Sequence, residues 1–234
     1  MPVRVRRATQ HAAMFSVAAD AAQRMIDHSG LRICEYLPGR GIVTLLLMRY
    51  VDSDLGAYHE YGTCVMVNPP GSSAQGLKAL GDAVAFVHHL PVDQEFTCEA
   101  GQVIWGFPKV MADFTMRAGD RQCGFDVGIG GRLIVGIDFR DGLCIPARFT
   151  AEPRVLRTYS HRDGVTREIG WELRLSGLRG RAGGAQLRLG DHPYADELRT
   201  LGLPKRALVA QSAANVEMTF GDAHEIWNTG IPPI

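Results

Sequence analysis

Apolar residues along this chain follow two periods, one helical and one strand-like. Residues 17–28 (VAADAAQRMIDH) place Val17, Ala21, Met25 and Ile26 on one helical face, with Ser16 as N-cap and Ser29-Gly30 as the stop. Beyond Gly30, strand-like segments dominate. Residues 41–51 are a short apolar run bounded by turn signals, residues 57–67 are β-rich and partly alternating, and residues 84–90 form a third strand closed by Pro91. Residues 68–73 (NPPGSS) read as a loop. Residues 93–103 predict a short helix with Asp93 as N-cap and Gly101 near its end.

The second half of the chain continues the strand pattern. Residues 112–117, 123–129 and 133–140 predict an antiparallel meander jointed at Gly119-Asp120, Gly130-Gly131 and Asp141-Gly142. Further strands fit residues 154–161, 166–175 and 185–189, with the glycine-rich RGRAGG stretch as a loop between the last two. A short helix over 194–200 and a long strand over 207–220 complete the reading. Many closely spaced strands with few helices, no repeat and no long linker predict a mainly β (α+β) protein. Its antiparallel sheet is expected to curl into a barrel, as one domain across 1–234.

Composition narrows the functional classes. At 234 residues, 46% hydrophobic and 21% charged, the chain can bury a sizeable core. Its formal net charge of zero argues against a nucleic-acid partner. Arg4, Arg6 and Arg7, and the Arg179-Gly180-Arg181 turn, read as solvated clusters. No apolar run approaches the roughly 20 residues of a membrane span. The five cysteines have no paired spacing, which suits free thiols in a reducing compartment, and the first residues lack the apolar core of a signal peptide. A cytoplasmic protein is expected.

Several chemistries find no support. Gly128-Ile129-Gly130-Gly131 opens no helix and reads as a hairpin turn rather than a nucleotide loop. His88-His89 are adjacent on a strand and therefore expected on opposite faces, unable to share one metal ion, and no metal site is expected. No serine-hydrolase elbow is present. What remains is lysine, which is scarce: Lys78, Lys109 and Lys205 are the only three. Lys109 directly follows Trp105-Gly106-Phe107-Pro108 and precedes Val110 and Met111. An ammonium pressed into such apolar company loses hydration, and the neutral amine then attacks carbonyls. Bringing a lysine from about 10.4 to about 7 takes some three pKa units, within the reach of desolvation alone at a fully buried site. The second candidate is Glu60 in Gly56-Ala57-Tyr58-His59-Glu60, either a solvated edge residue or a proton-handling group inside the barrel.

Taken together, Gly56-Ala57-Tyr58-His59-Glu60, Trp105-Gly106-Phe107-Pro108-Lys109 and Asp191-His192-Pro193-Tyr194-Ala195-Asp196-Glu197-Leu198 occur in an order that resembles the acetoacetate decarboxylase family. The resemblance implies a cone-like barrel, a homo-oligomer and a Schiff-base lysine at Lys109. Glu60 would orient substrate or shuttle a proton, with Trp105, Phe107, Met111 and Tyr58 around the substrate pocket. It implies no cofactor, and a small oxo-acid as substrate whose carboxylate an arginine holds, Arg7 being the candidate. Two departures stand out. Val110 occupies the position of a second family lysine, and no carboxylate occurs in Thr44-Leu45-Leu46, where a second family glutamate falls. Decarboxylation of an acetoacetate-like substrate, aldol or dehydratase chemistry on pyruvate-like acids, and non-catalytic ligand binding all stay open.

Overall fold

The computed structural model describes residues 2–119, 122–149 and 152–228, and in it the chain begins with a strand. β1 (Val3–Ala18) covers sixteen residues to which the hydrophobic period assigns almost nothing. Register shifts near residues 5–10 break its alternation against both neighbours, which hides the strand from a period-2 reading. Arg6 is held by Asp52 at 2.8 Å and Asp54 at 2.6 Å. Helix α1 (Ala19–Ile26) consequently starts two residues later than expected. Ser16 is not its cap; its Oγ accepts from the Tyr36 hydroxyl at 2.8 Å and Arg40 Nε at 2.9 Å.

The short β2 (Arg32–Ile33) is followed by β3 (Arg40–Ser53), β4 (Tyr58–Asn68) and β5 (Val84–Val92), the last continuing past Pro91. Helix α2 (Glu95–Trp105) is capped by Gln94 rather than Asp93 and runs through Gly101. Asp93 instead accepts the backbone N–H of His59 at 2.6 Å. β6 (Lys109–Met111) leads into the expected meander of β7 (Asp113–Gly119), β8 (Gln122–Ile129) and β9 (Arg132–Arg140). Asp120 of the first joint lies outside the described residues. β10 (Leu143–Cys144), β11 (Arg154–Arg162) and β12 (Val165–Ser176) come next. Part of the RGRAGG stretch is strand β13 (Arg179–Ala182) rather than loop. β14 (Ala185–Leu189), helix α3 (Pro193–Thr200) and β15 (Val209–Asn228) complete the described chain.

Seven strands close into a barrel in the order β1-β3-β4-β5-β11-β12-β15, with β15 returning to β1. Closure removes the unpaired edges an open sheet would leave. The barrel is mixed rather than wholly antiparallel, because β11 runs parallel to β5. The meander pairs instead with β14 as a separate four-stranded sheet, β14-β9-β8-β7. Its Phe125, Ile134 and Ile137 pack with Phe15, Leu45 and Phe86 of the barrel in one apolar cluster. A second cluster gathers Tyr50, Tyr58, Leu90, Trp105, Phe107 and Met218, and it holds the site described below. Among the described residues, no helix is long and apolar enough to cross a membrane, and all five cysteines are free.

Alternation fails once inside β5. Thr63 pairs with His89 and Cys64 with Val87, so His88 is an extra residue at a bulge. The two imidazoles, expected on opposite faces, both reach Glu197 of α3, each at 2.7 Å. The bulge interrupts the regular pleating that would have denied them a shared partner.

Two other histidines make stability depend on pH. His11 lies 5.3 Å and 5.2 Å from the Phe125 and Phe139 rings, and burial lowers its pKa. Burial, with the His28 and Arg167 charges added, brings His161 down to about 4. Both stay neutral in the folded chain while the unfolded chain takes up protons near 6.5. The unfolded state then binds more protons as pH falls, so this stability is present above about 6.5 and lost below it, for His161 toward about 4. Thermal midpoints are expected to drop across that window, and less steeply in His161→Gln; an unchanged slope in that variant would contradict the assignment.

Candidate active site

The segment carrying Lys109 is fixed by the end of α2. Gly106 takes a left-handed φ of +63°, and its N–H returns to Gln102 O at 3.1 Å. A Cβ at this position would sit 2.5 Å from Arg167 Nη1, which the arginine side chain could relieve, so it is the left-handed conformation that calls for glycine. Trp105 is anchored at both ends: its Nε1 donates to Gly221 O at 2.8 Å, and its carbonyl accepts from Ser160 Oγ at 2.6 Å. Lys109 then opens β6, which pairs parallel to β5 with Lys109 opposite Leu90. Gln102 Nε2 donates to the Lys109 carbonyl at 2.7 Å. The side chain lies across Gly101, where a Cβ would come within 2.6 Å of both Cδ and Cε of Lys109. Gly101 is thus no helix stop; it makes room for the lysine.

The amine meets a carboxylate. Lys109 Nζ is 2.8 Å from Glu60 Oε2, and the two residues are only 3% and 7% exposed. Nζ also donates to Thr97 Oγ1 at 3.3 Å and sits 5.1 Å from the centre of the Tyr58 ring. The other carboxylate oxygen, Oε1, accepts from the Tyr50 hydroxyl at 2.8 Å. Tyr50 and Tyr58 face each other across β3 and β4 and stack at 4.2 Å. Burial first, and the Glu60 charge second, raise both phenols well above the ordinary tyrosine value, so they remain donors. The same two causes push the neighbouring Cys64 thiol up to about 12, which leaves it inert as a nucleophile at neutral pH.

A cavity of roughly 130 Å³ opens onto this pair. Leu46, Val87, Leu90, Trp171, Met218 and Phe220 form much of its wall, and Tyr58, Trp105 and Phe107 also line it. Met111 does not. Along β6 only Lys109 turns inward; Val110 and Met111 are each 44% exposed. A cation at position 110 would therefore point away from the amine, and the dry setting comes from Trp105, Phe107 and distant strands rather than from Val110 and Met111. Among the described residues no arginine lines the cavity, and Arg7 is exposed on β1. Gln10 is the polar side chain that β1 contributes instead.

Sequence reasoning passed over Tyr50, Thr97 and Gln10. Tyr50 becomes visible only once β3 and β4 are in register, which sets Tyr50 beside Tyr58 and Met48 opposite Glu60. Thr97 lies two turns of α2 before the lysine segment, and nothing local marks it.

A family model described as acetoacetate decarboxylase matches residues 1–225. No curated protein matches the sequence. Among solved structures, acetoacetate decarboxylase from Legionella pneumophila is similar at TM-score 0.73 and 17% identity, over 99% of this chain and 89% of that one. The enduracididine biosynthesis enzyme MppR complexed with pyruvate matches at TM-score 0.67 and 14% identity, over 96% and 90%. An acetoacetate decarboxylase-like enzyme from Sphingomonas wittichii RW1 matches at 0.57 and 14%, over 94% and 92%. Identities this low speak for the shared fold.

Removing one partner of a buried ion pair strands the other, at a cost of about 3–5 kcal/mol. Lys109→Met is expected to lose stability in that range at neutral pH, and the Glu60→Gln/Lys109→Met double variant to recover part of it. Urea unfolding of the four proteins closes a double-mutant cycle; strictly additive losses would mean that the two groups are not coupled.

Proposed function

The chain belongs to the acetoacetate decarboxylase family, and from that membership we propose that it is a Schiff-base lyase that decarboxylates small β-keto acids on Lys109. The observation that carries this reading is the Lys109–Glu60 contact of 2.8 Å at the wall of an apolar cavity. The contact lets a proton pass from ammonium to carboxylate as substrate enters. The neutral amine then adds to the ketone carbon, and the resulting carbinolamine loses water to give a protonated iminium. In this reading Glu60 Oε2 returns the proton to the departing hydroxyl, while Tyr50, bonded to Oε1, keeps the carboxylate oriented.

The iminium is the electron sink. The bond from the α-carbon to the carboxylate breaks, carbon dioxide leaves, and the electron pair becomes the enamine double bond. Protonation of the α-carbon restores the iminium, water adds, and the ketone departs from the free amine. The walls favour this course. A carboxylate facing Leu46, Val87 and Leu90 lacks the solvation it has in water, and that deficit disappears as its charge leaves with the breaking bond.

Condensation or dehydration of a 2-oxo acid starts from the same iminium, and a structural neighbour is described with pyruvate. Such an acid keeps its carboxylate throughout and needs a cation to hold it. No arginine lines this cavity among the described residues, which favours the β-keto acid.

Borohydride reduction in the presence of acetoacetate tests the proposal. The expected product is Lys109 bearing an isopropyl group, with carbon dioxide released before reduction, and Lys109→Arg should give no adduct. Glu60→Gln should slow turnover by about 10²–10⁴-fold. An adduct that retains the carboxylate without carbon dioxide release would assign condensation chemistry. No adduct with acetoacetate, a longer 3-oxo acid or pyruvate would leave a ligand-binding protein.

A further inference from the structure

The bulge in β5 has assembled a second set of convergent side chains. His88 and His89 come from the strand and Glu197 from α3, and one ligand atom from each lies within 4.8 Å of the others. Nε2 of His88 is 2.7 Å from Glu197 Oε1, and Nε2 of His89 is 2.7 Å from Oε2. The group sits on the reverse side of β5 from the Lys109 cavity. Val87 and Leu90, which flank the pair, line that cavity, whereas the His88 and His89 rings contact Phe86 and Tyr194 of the other apolar cluster.

Its build differs from a surface ion pair. The His88 side chain is 8% exposed, and its Nδ1 is buried without a hydrogen-bond partner, so Nε2 is the nitrogen it can present. The His89 and Glu197 side chains are 30% and 36% exposed, which leaves one side open for an ion to enter and for water to complete its shell. The strand is held by β4 and β11 on either side, and α3 is seated through the buried Tyr194, Ala195 and Leu198. Two of the three donors thus ride on one strand, and the third on a packed helix.

We propose that His88, His89 and Glu197 form a binding site for a divalent metal ion of the zinc class, with the fourth position taken by water. Two imidazoles and one carboxylate are a donor set that suits zinc and not magnesium. Tetrahedral bonds of about 2.0–2.2 Å separate neighbouring ligand atoms by about 3.3 Å. The carboxylate has to draw back by about 0.6 Å from each nitrogen, and donor atoms now spread over up to 4.8 Å have to close toward that spacing by side-chain rotation. Each imidazole binds the ion through Nε2 as the neutral ring, with its one ring proton carried on Nδ1, and the ion fastens α3 to the barrel wall.

Titration of chelator-stripped protein with zinc chloride, followed by calorimetry and thermal unfolding, is the test. One equivalent is expected to bind and raise the thermal midpoint, with magnesium chloride doing neither. Affinity should fall at least about 100-fold in His89→Gln and in Glu197→Gln, because even outer-shell partners of bound metals are worth 10–100-fold. Both positions are partly exposed, and the unfolding curves of the stripped variants report whether each is folded. Cobalt is expected to give visible bands without a thiolate charge-transfer band. Saturable binding that survives both substitutions, a thiolate band that puts the ion on a cysteine, or no saturable binding at all would each overturn the proposal.

Discussion

One buried contact, Lys109 Nζ against Glu60 Oε2, constrains more of this molecule than any other. Taking two charges out of water costs several kcal/mol per ion, which only good geometry and further hydrogen bonds offset. The surrounding structure supplies both. Tyr50 holds the far carboxylate oxygen, Thr97 receives the amine, and the Tyr58 ring lies beside it. The constraint also reaches residues that touch no charge. Gly101 leaves room for the lysine stem, Gly106 lets the chain turn beside Arg167, and Gln102 pins the lysine carbonyl. Barrel strands β3 and β4, helix α2 and β6 have to agree to within a fraction of an ångström for one ion pair to form.

How much of this was legible in the sequence depended on how local each cause was. The turn after α2 announced itself, because Trp, Gly, Phe, Pro and a rare Lys in succession leave few structural alternatives. Barrel strands with regular alternation were equally plain. β1 was not, since register shifts near residues 5–10 interrupt the very period by which a strand is recognised. The same failure, at His88, hid the convergence of two histidines on Glu197. Val110 and Met111 show a different limit: neighbours of a buried lysine in sequence need not share its surroundings, and both lie open to solvent. Tyr50 and Gln10 come from strands remote from Lys109, and only the pairing register could reveal them.

Likeness to solved structures at 14–17% identity carries the frame of the barrel and stops there. What distinguishes this chain lies in the wall of the cavity. Aliphatic and aromatic side chains from six barrel strands face the amine, and the described lining holds no guanidinium. β5 serves two environments at once. Its Val87 and Leu90 border the amine cavity, and its backbone holds Lys109 in place, while His88 and His89 belong to the opposite side.

Closure of the barrel by β1 and β15 gives the cavity a history as well as a shape. Val3 pairs with Phe220, and both line the space in front of Lys109, although they come from opposite ends of the described chain. During synthesis the lysine emerges long before the strand that completes its enclosure, and contacts of such long sequence separation form late. Until β15 is seated the amine faces a half-made wall open to water. Enclosure of the amine therefore draws on both ends of the described chain, and it is complete only once β1 and β15 are paired.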